Sequence, residues 1–149
     1  MIDDINFKTS TKLLEFLEKY HEELIAARST IAGIPEAQYR MLFHLQNSPP
    51  MPMSSLGNSL FFTKAYMTKL VDSLAKDGFV ERHPDPIDRR VINIHITDAG
   101  LKKIQDANSL MLACVMEKLS QISPKDMIDL HSSVEKLLEL FNKYNKLHF

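Results

Sequence analysis

Glycine is scarce in this chain of 149 residues, and its scarcity already excludes several kinds of enzyme. The four glycines, Gly33, Gly57, Gly78 and Gly100, stand 24, 21 and 22 residues apart. Loops that cradle phosphates need glycines a few residues from one another, so neither a P-loop nor a dinucleotide-binding turn fits. Cysteine is rarer still: the single Cys114 excludes an internal disulfide framework and a Cys-based zinc site. Long apolar runs are missing too, since the longest, Leu110 to Met116, has seven residues against the ~20 that span a bilayer. The chain opens Met1-Ile2-Asp3-Asp4, acidic where a secretory leader carries basic residues. A cytoplasmic protein with no membrane partner is therefore expected. Charge of one sign is lacking as well: Lys+Arg 18 against Asp+Glu 19 leaves a net −1, so no global basic field announces nucleic acid. What remains is ordinary for a globular protein, 44% hydrophobic and 25% charged. The length suits one domain that buries roughly 70% of its unfolded surface.

The order of elements is more informative. Leu13, Phe16, Leu17, Tyr20, Leu24 and Ala27 recur at helical spacing, which predicts an amphipathic helix over residues ~5–30 ended by Gly33. Pro35 at a first helical position and Glu36 open a second helix with the stripe Tyr39, Leu42, Phe43 and Leu45. Met51-Pro52-Met53 allows a strand stub, and Ser54 to Leu60 reads as a short helix. Thr63 offers an N-cap to a helix over 63–77 with Met67, Leu70, Val71 and Leu74 on one side and Gly78 as its stop. The period then drops to two: Phe79–Arg82 and Val91–Ile96 are predicted strands joined by a polar, charged tip over 83–90. Thr97 caps a long helix marked by Leu101, Ile104, Met111, Val115, Leu119 and Ile122. Ser123-Pro124 starts the last helix, which carries Met127, Leu130, Val134, Leu137, Leu138, Phe141 and Tyr144. The pattern is mainly α with a small β-wing, a helix-turn-helix followed by a ribbon.

The helix over 63–77 turns Ala65, Lys69, Asp72 and Lys76 away from its apolar stripe, flanked by Lys64, Tyr66, Thr68 and Ser73. Lysines reach phosphate or guanine, hydroxyls bond base edges or phosphate, and Ala or Tyr lies against a thymine methyl. A solvated helix face would have a similar composition. At the ribbon tip Arg89 and Arg90 adjoin Asp85 and Asp88. Arginine suits a narrow minor groove, and a neighbouring aspartate can orient it beforehand; a plain surface ion pair is the alternative. Residues 60–103 hold eight Lys/Arg and six Asp/Glu, a net +2, and the remainder holds 10 against 13, a net −3. The basic charge is local.

The run from Asp85-Pro86-Ile87-Asp88-Arg89-Arg90 through Ile96-Thr97-Asp98-Ala99-Gly100 resembles the wing signature of the MarR family of winged-helix transcriptional regulators. Met67 to Leu74 and Lys76 to Arg82 are similar to that family's recognition helix entering its first wing strand, and Ile34–Leu45 to its second helix. The resemblance implies a single MarR-like domain over 1–149. A winged-helix DNA-binding lobe would occupy about 34–100, and N- and C-terminal dimerisation helices about 1–32 and 101–149. It implies a homodimer on double-stranded DNA, at a pseudo-palindromic operator with half-sites about one helical turn apart. Carried over by position, Thr63, Lys64, Ala65, Tyr66, Thr68, Lys69 and Ser73 would meet the major groove. Arg89 or Arg90 would enter the minor groove, steadied by Asp85 or Asp88. Two departures stand out: Phe61-Phe62 occupies the place where members usually carry Gly plus an apolar residue, and Tyr66 is bulky for a base-facing position.

The resemblance also implies release by a small phenolic or lipophilic effector, for which Tyr39, Phe43, His44 and Met111 are the candidate lining; plain core packing is the competing expectation. Cys114, inside the apolar run, is expected to be buried and inert. The histidines His21, His44, His83, His95, His131 and His148 show no i, i+4 pair and no Cys at ligand spacing, so no metal and no cofactor is expected. Met51 and Met53 read as packing around the strand stub. No ordered set of nucleophile, base and acid suggests an enzyme. The functional alternative to a DNA regulator is a winged helix used as a protein-interaction module.

Overall fold

The computed structural model describes residues 2–144, and His148 lies outside them. Among the described residues nine elements follow in order: α1 (Ile2–Ile31), α2 (Glu36–Gln46), β1 (Met51–Pro52), α3 (Met53–Leu60), α4 (Lys64–Lys76), β2 (Val80–Pro84), β3 (Ile92–Ile96), α5 (Asp98–Leu119) and α6 (Pro124–Lys143). The chain divides into two compact units between Met111 and Leu112. No described helix is long and apolar enough to cross a membrane.

The first unit is built around one core. The α4 stripe Met67, Leu70, Val71 and Leu74 is buried against Leu56 and Leu60 of α3 and Met41, Leu42 and Leu45 of α2. Val80, Ile94 and Ile104 close that core from the wing and α5. Burying side chains of this size stabilises the fold by about 1.5–3 kcal/mol each. The three strands form an antiparallel sheet in the order β1-β3-β2. Met51 pairs with Ile94 on one side of β3, and Arg82 pairs with Ile94 on the other. That register places Ile94 in the centre, fully buried.

Local chemistry sets most boundaries. Thr63 caps α4 by accepting the Tyr66 N–H at 3.3 Å, and Ser123 caps α6 by accepting the Asp126 N–H at 3.2 Å, with Pro124 in its first turn. Thr97 holds a junction: its hydroxyl donates to the Gly78 carbonyl at 2.7 Å and accepts the Gly100 N–H at 3.0 Å. Gly33 and Gly78 both take positive φ after helices.

Several expectations need correction. The first helix begins at Ile2 rather than near residue 5, because Asp3 and Asp4 favour a helix start. Pro35 is the N-cap of α2, one residue before the position expected of it. The first long strand runs through His83 and Pro84, since β2 is an edge strand on which a proline is tolerated. The second begins at Ile92, so the tip is Asp85–Val91, and α5 stops at Leu119 instead of reaching Ile122. Cys114 is half-exposed rather than buried.

Candidate nucleic-acid interface

The buried stripe of α4 fixes what its other side exposes. Thr63, Lys64, Ala65, Tyr66, Thr68 and Lys69 are all exposed at its N-terminal end, and Lys76 at its last turn. Tyr66 does not swing freely: its ring meets that of Phe62 edge-on with centroids 5.0 Å apart. Phe62 lies in turn beneath the Arg40 guanidinium, which donates to the Leu60 carbonyl at 3.0 Å. The Thr68 hydroxyl donates to the Lys64 carbonyl at 3.1 Å. Ser73 stands apart, half-buried and bonded by the Gln38 amide at 3.4 Å. The acidic member of the exposed side, Asp72, is bound by Arg82 of β2, which ties the wing to α4 and masks one negative charge.

The wing tip is bonded throughout. One oxygen of Asp85 accepts the N–H groups of Ile87 at 2.9 Å and Asp88 at 3.1 Å, and the other accepts the Asn93 side-chain amide at 3.0 Å. The Asp85 N–H donates to the Val91 carbonyl, and the Val91 N–H to that of Asp88. Asp88 holds Arg90 as a fork, Nε to Oδ1 at 3.0 Å and Nη2 to Oδ2 at 2.9 Å. Backbone amides, first that of Asp88 and then that of Ile87, with Asn93 adding to them, hold the Asp85 carboxyl below the usual range. Arg90 does the same to Asp88, and its own pKa is raised by that carboxylate. Arg89 is exposed, with no hydrogen bond or ion pair among the described residues. The structure thus settles which carboxylate meets which arginine. Phe61, marked in the sequence as a departure in the turn before α4, is 90% exposed there, and Ile87, which sequence reasoning did not single out, is 95% exposed at the tip.

Thr63 to Lys69 share one helix end, the two arginines and two aspartates share the wing tip, and Tyr39, Phe43 and His44 meet in a third place. With Arg28, Arg40 and Leu60 they line an open cleft of about 300 Å³. Tyr39 stacks on Phe43 at 5.9 Å, lies under Arg28 at 4.2 Å, and donates its hydroxyl to Asn108 Oδ1 at 2.9 Å. Met111, half-buried on α5, is not part of that lining. A second cavity of about 210 Å³, unforeseen in the sequence, lies between α3 and α4 among Met53, Gly57, Phe62 and Met67. Among the described residues no group of three or more His, Cys, Asp or Glu is placed to hold a metal ion.

Comparison with known proteins gives this arrangement its family. The MarR family model matches residues 34–92, the span from two residues before α2 to the first residue of β3. The transcriptional repressor YetL of Bacillus subtilis is 30% identical over 142 residues, covering 92% of this chain and 77% of that one. The chain belongs to the MarR family. Its fold is shared with solved structures: the transcriptional regulator Tm0710 of Thermotoga maritima superposes with a TM-score of 0.79 at 20% identity, over 93% of this chain and 99% of that one. A MepR variant of S. aureus bound to an oligodeoxyribonucleotide superposes at 0.65 and 18% identity, over 89% and 97%. This MarR-family chain is a winged-helix transcriptional regulator and not an enzyme.

Proposed function

We propose that the chain acts as a homodimer that binds double-stranded DNA at a pseudo-palindromic operator and regulates transcription from it. The observation that carries this reading is the exposed end of α4. Lys64, Ala65, Tyr66, Thr68 and Lys69 stand together there beside the Thr63 cap, the residue types that meet phosphates, base edges and thymine methyls. Ser73 sits at the margin of that surface. Arg90 is the arginine we assign to the minor groove, because Asp88 already orients its guanidinium while its side chain stays 90% exposed. Asp85 shapes the turn that carries it, and Arg89 is left for phosphate. The likeness to YetL and to the oligonucleotide-bound MepR supports repression through duplex DNA.

In this reading residues 34–100 form the DNA-binding lobe, and 1–32 with 101–149 the dimerisation region, of which 1 and 145–149 lie outside the described residues. The cleft takes a small phenolic or lipophilic effector against the Tyr39–Phe43 stack and His44, with Met111 outside the first layer of contacts. Titration of a duplex enriched by the protein from a random pool tests the reading. Arg89→Ala with Arg90→Ala is expected to weaken binding at least about tenfold and to flatten its salt dependence, with the dimer intact. A wild-type protein that ignores duplex DNA even at low salt would instead be a winged helix that binds other proteins.

A further inference from the structure

Neither packing nor backbone preference accounts for Phe61. It is the C-cap of α3 with φ 58° and ψ 36°, the left-handed region in which a Cβ crowds the following carbonyl. Glycine avoids that conflict, and among the described residues Phe61 is the only other residue type found at positive φ. Its ring gives the fold nothing in return, being 90% exposed. The adjoining Phe62 does the opposite, half-buried between Arg40 and Tyr66. The turn itself is firmly bonded, with the Phe61 N–H donating to Asn58 at 3.2 Å and the Phe62 N–H to Gly57 at 2.9 Å. An aromatic side chain is therefore held out in water, in an unfavourable backbone conformation, three residues before the first residue of α4.

We propose that Phe61 is a DNA-contacting residue, its ring packing on the apolar surface of the duplex, a deoxyribose or a thymine methyl, at the edge of the groove that α4 enters. The proposal rests on the major-groove reading of α4 given above. Duplex DNA is the occupant because the exposed neighbours Asn58, Ser59, Thr63 and Lys64 are polar or basic, unlike the apolar centre of a protein interface. Such a contact adds affinity through buried apolar area and releases no counterion.

The probe is the tightest duplex that the wild-type protein enriches from a random pool. Phe61→Gly relieves the backbone conflict, so it is expected to keep or raise Tm. It should nevertheless bind the enriched duplex about tenfold more weakly, the equivalent of about 1.4 kcal/mol, with an unchanged salt slope. Phe61→Leu restores apolar area and regains most of the loss. Replacing thymines one at a time by deoxyuridine separates the two surfaces. A methyl contact makes one replacement harmful to the wild type and not to Phe61→Gly, whereas a sugar contact leaves both proteins indifferent. Equal affinities of folded wild type and Phe61→Gly overturn the proposal while the reading of α4 stands, and a ring that serves a protein partner gives that result. A wild type that enriches no duplex overturns both.

Discussion

At the wing tip two aspartates divide the work between shape and orientation. Asp85 accepts from Ile87, Asp88 and Asn93 and so fixes the turn, and Asp88 grips Arg90. Single substitutions should separate the two arginines: Arg90→Ala is expected to lose the groove contact and relax sequence preference. Arg89→Ala should weaken binding evenly across sequences and lower the salt slope by about one. Titrations of each variant on specific and random duplexes check this, and interchanged behaviour would reverse the assignment. The same carboxylates set a pH response. Both lie below the ordinary carboxylate pKa of 3.8. A carboxylate depressed in the folded state contributes in full above its unfolded pKa and loses that contribution as pH falls through the folded one. The tip is thus expected to be unchanged from about pH 5 upward and to open only below about pH 4. Amide shifts of Ile87, Asp88 and Arg90 report it, and a transition near neutrality would contradict it. The charged tip was legible in the sequence because Pro, Asp and Arg cluster between two β-patterned runs. The pairing was not, because in a turn this short either carboxylate can reach either arginine and only the turn's dihedrals choose between them. Phe61 was legible as a departure from the usual glycine, but its conformation was not, because a left-handed backbone runs against the propensity of its own side chain.

Among the elements, the close approaches are made by two glycines, and they differ in what opposes them. A Cβ on Gly100 would lie 2.2 Å from the Phe79 carbonyl oxygen and 2.8 Å from Ile96 Cγ1. That carbonyl also accepts the Thr97 N–H at 3.1 Å, so it cannot retreat without breaking the junction of the wing with α5. On Gly57 the added Cβ would meet Met67 Cγ at 3.0 Å, part of a flexible thioether chain that can shift. Gly100→Ala is expected to cost about 3 kcal/mol and Gly57→Ala about 1 kcal/mol, read by denaturant unfolding. Equal losses would mean that the junction yields as easily as a methionine side chain. Helix starts were readable wherever a hydroxyl stood before the apolar period, as Thr63 and Ser123 do. Strand ends were not, since the extension of β2 through His83 and Pro84 depends on pairing with Asn93 and Ile92 across the sheet. The end of α5 at Leu119 was equally hidden, because the apolar pattern continues to Ile122 beyond the last helical hydrogen bond.

For the molecule as a whole, the net charge of −1 averages a locally basic stretch, +2 over residues 60–103, with a remainder of −3. Its long terminal helices are incomplete as they stand. Neither the 30 residues of α1 nor the 20 of α6 include a buried one. Yet α1 exposes Phe16, Leu17, Tyr20 and Leu24, and α6 exposes Leu130, Val134, Leu137 and Leu138 at helical spacing. Packing of an apolar face, more than propensity, stabilises helices in proteins, and these stripes are the surface that the proposed homodimer would cover. Sedimentation should therefore give about twice the 17.1 kDa chain mass. Placing charge within the α6 stripe, as Val134→Glu with Leu138→Glu, is expected to shift the species toward 17.1 kDa while leaving the winged lobe folded. Affinity for a palindromic duplex should then fall by about a hundredfold, because the second half-site is no longer bound intramolecularly. Affinity for a single half-site should change little. A double variant that stays dimeric would remove α6 from the interface, and a wild type that sediments as a monomer would remove the dimer altogether. Loss of half-site binding along with the palindrome would trace the defect to the winged lobe, whose integrity the same sample reports through its Tm.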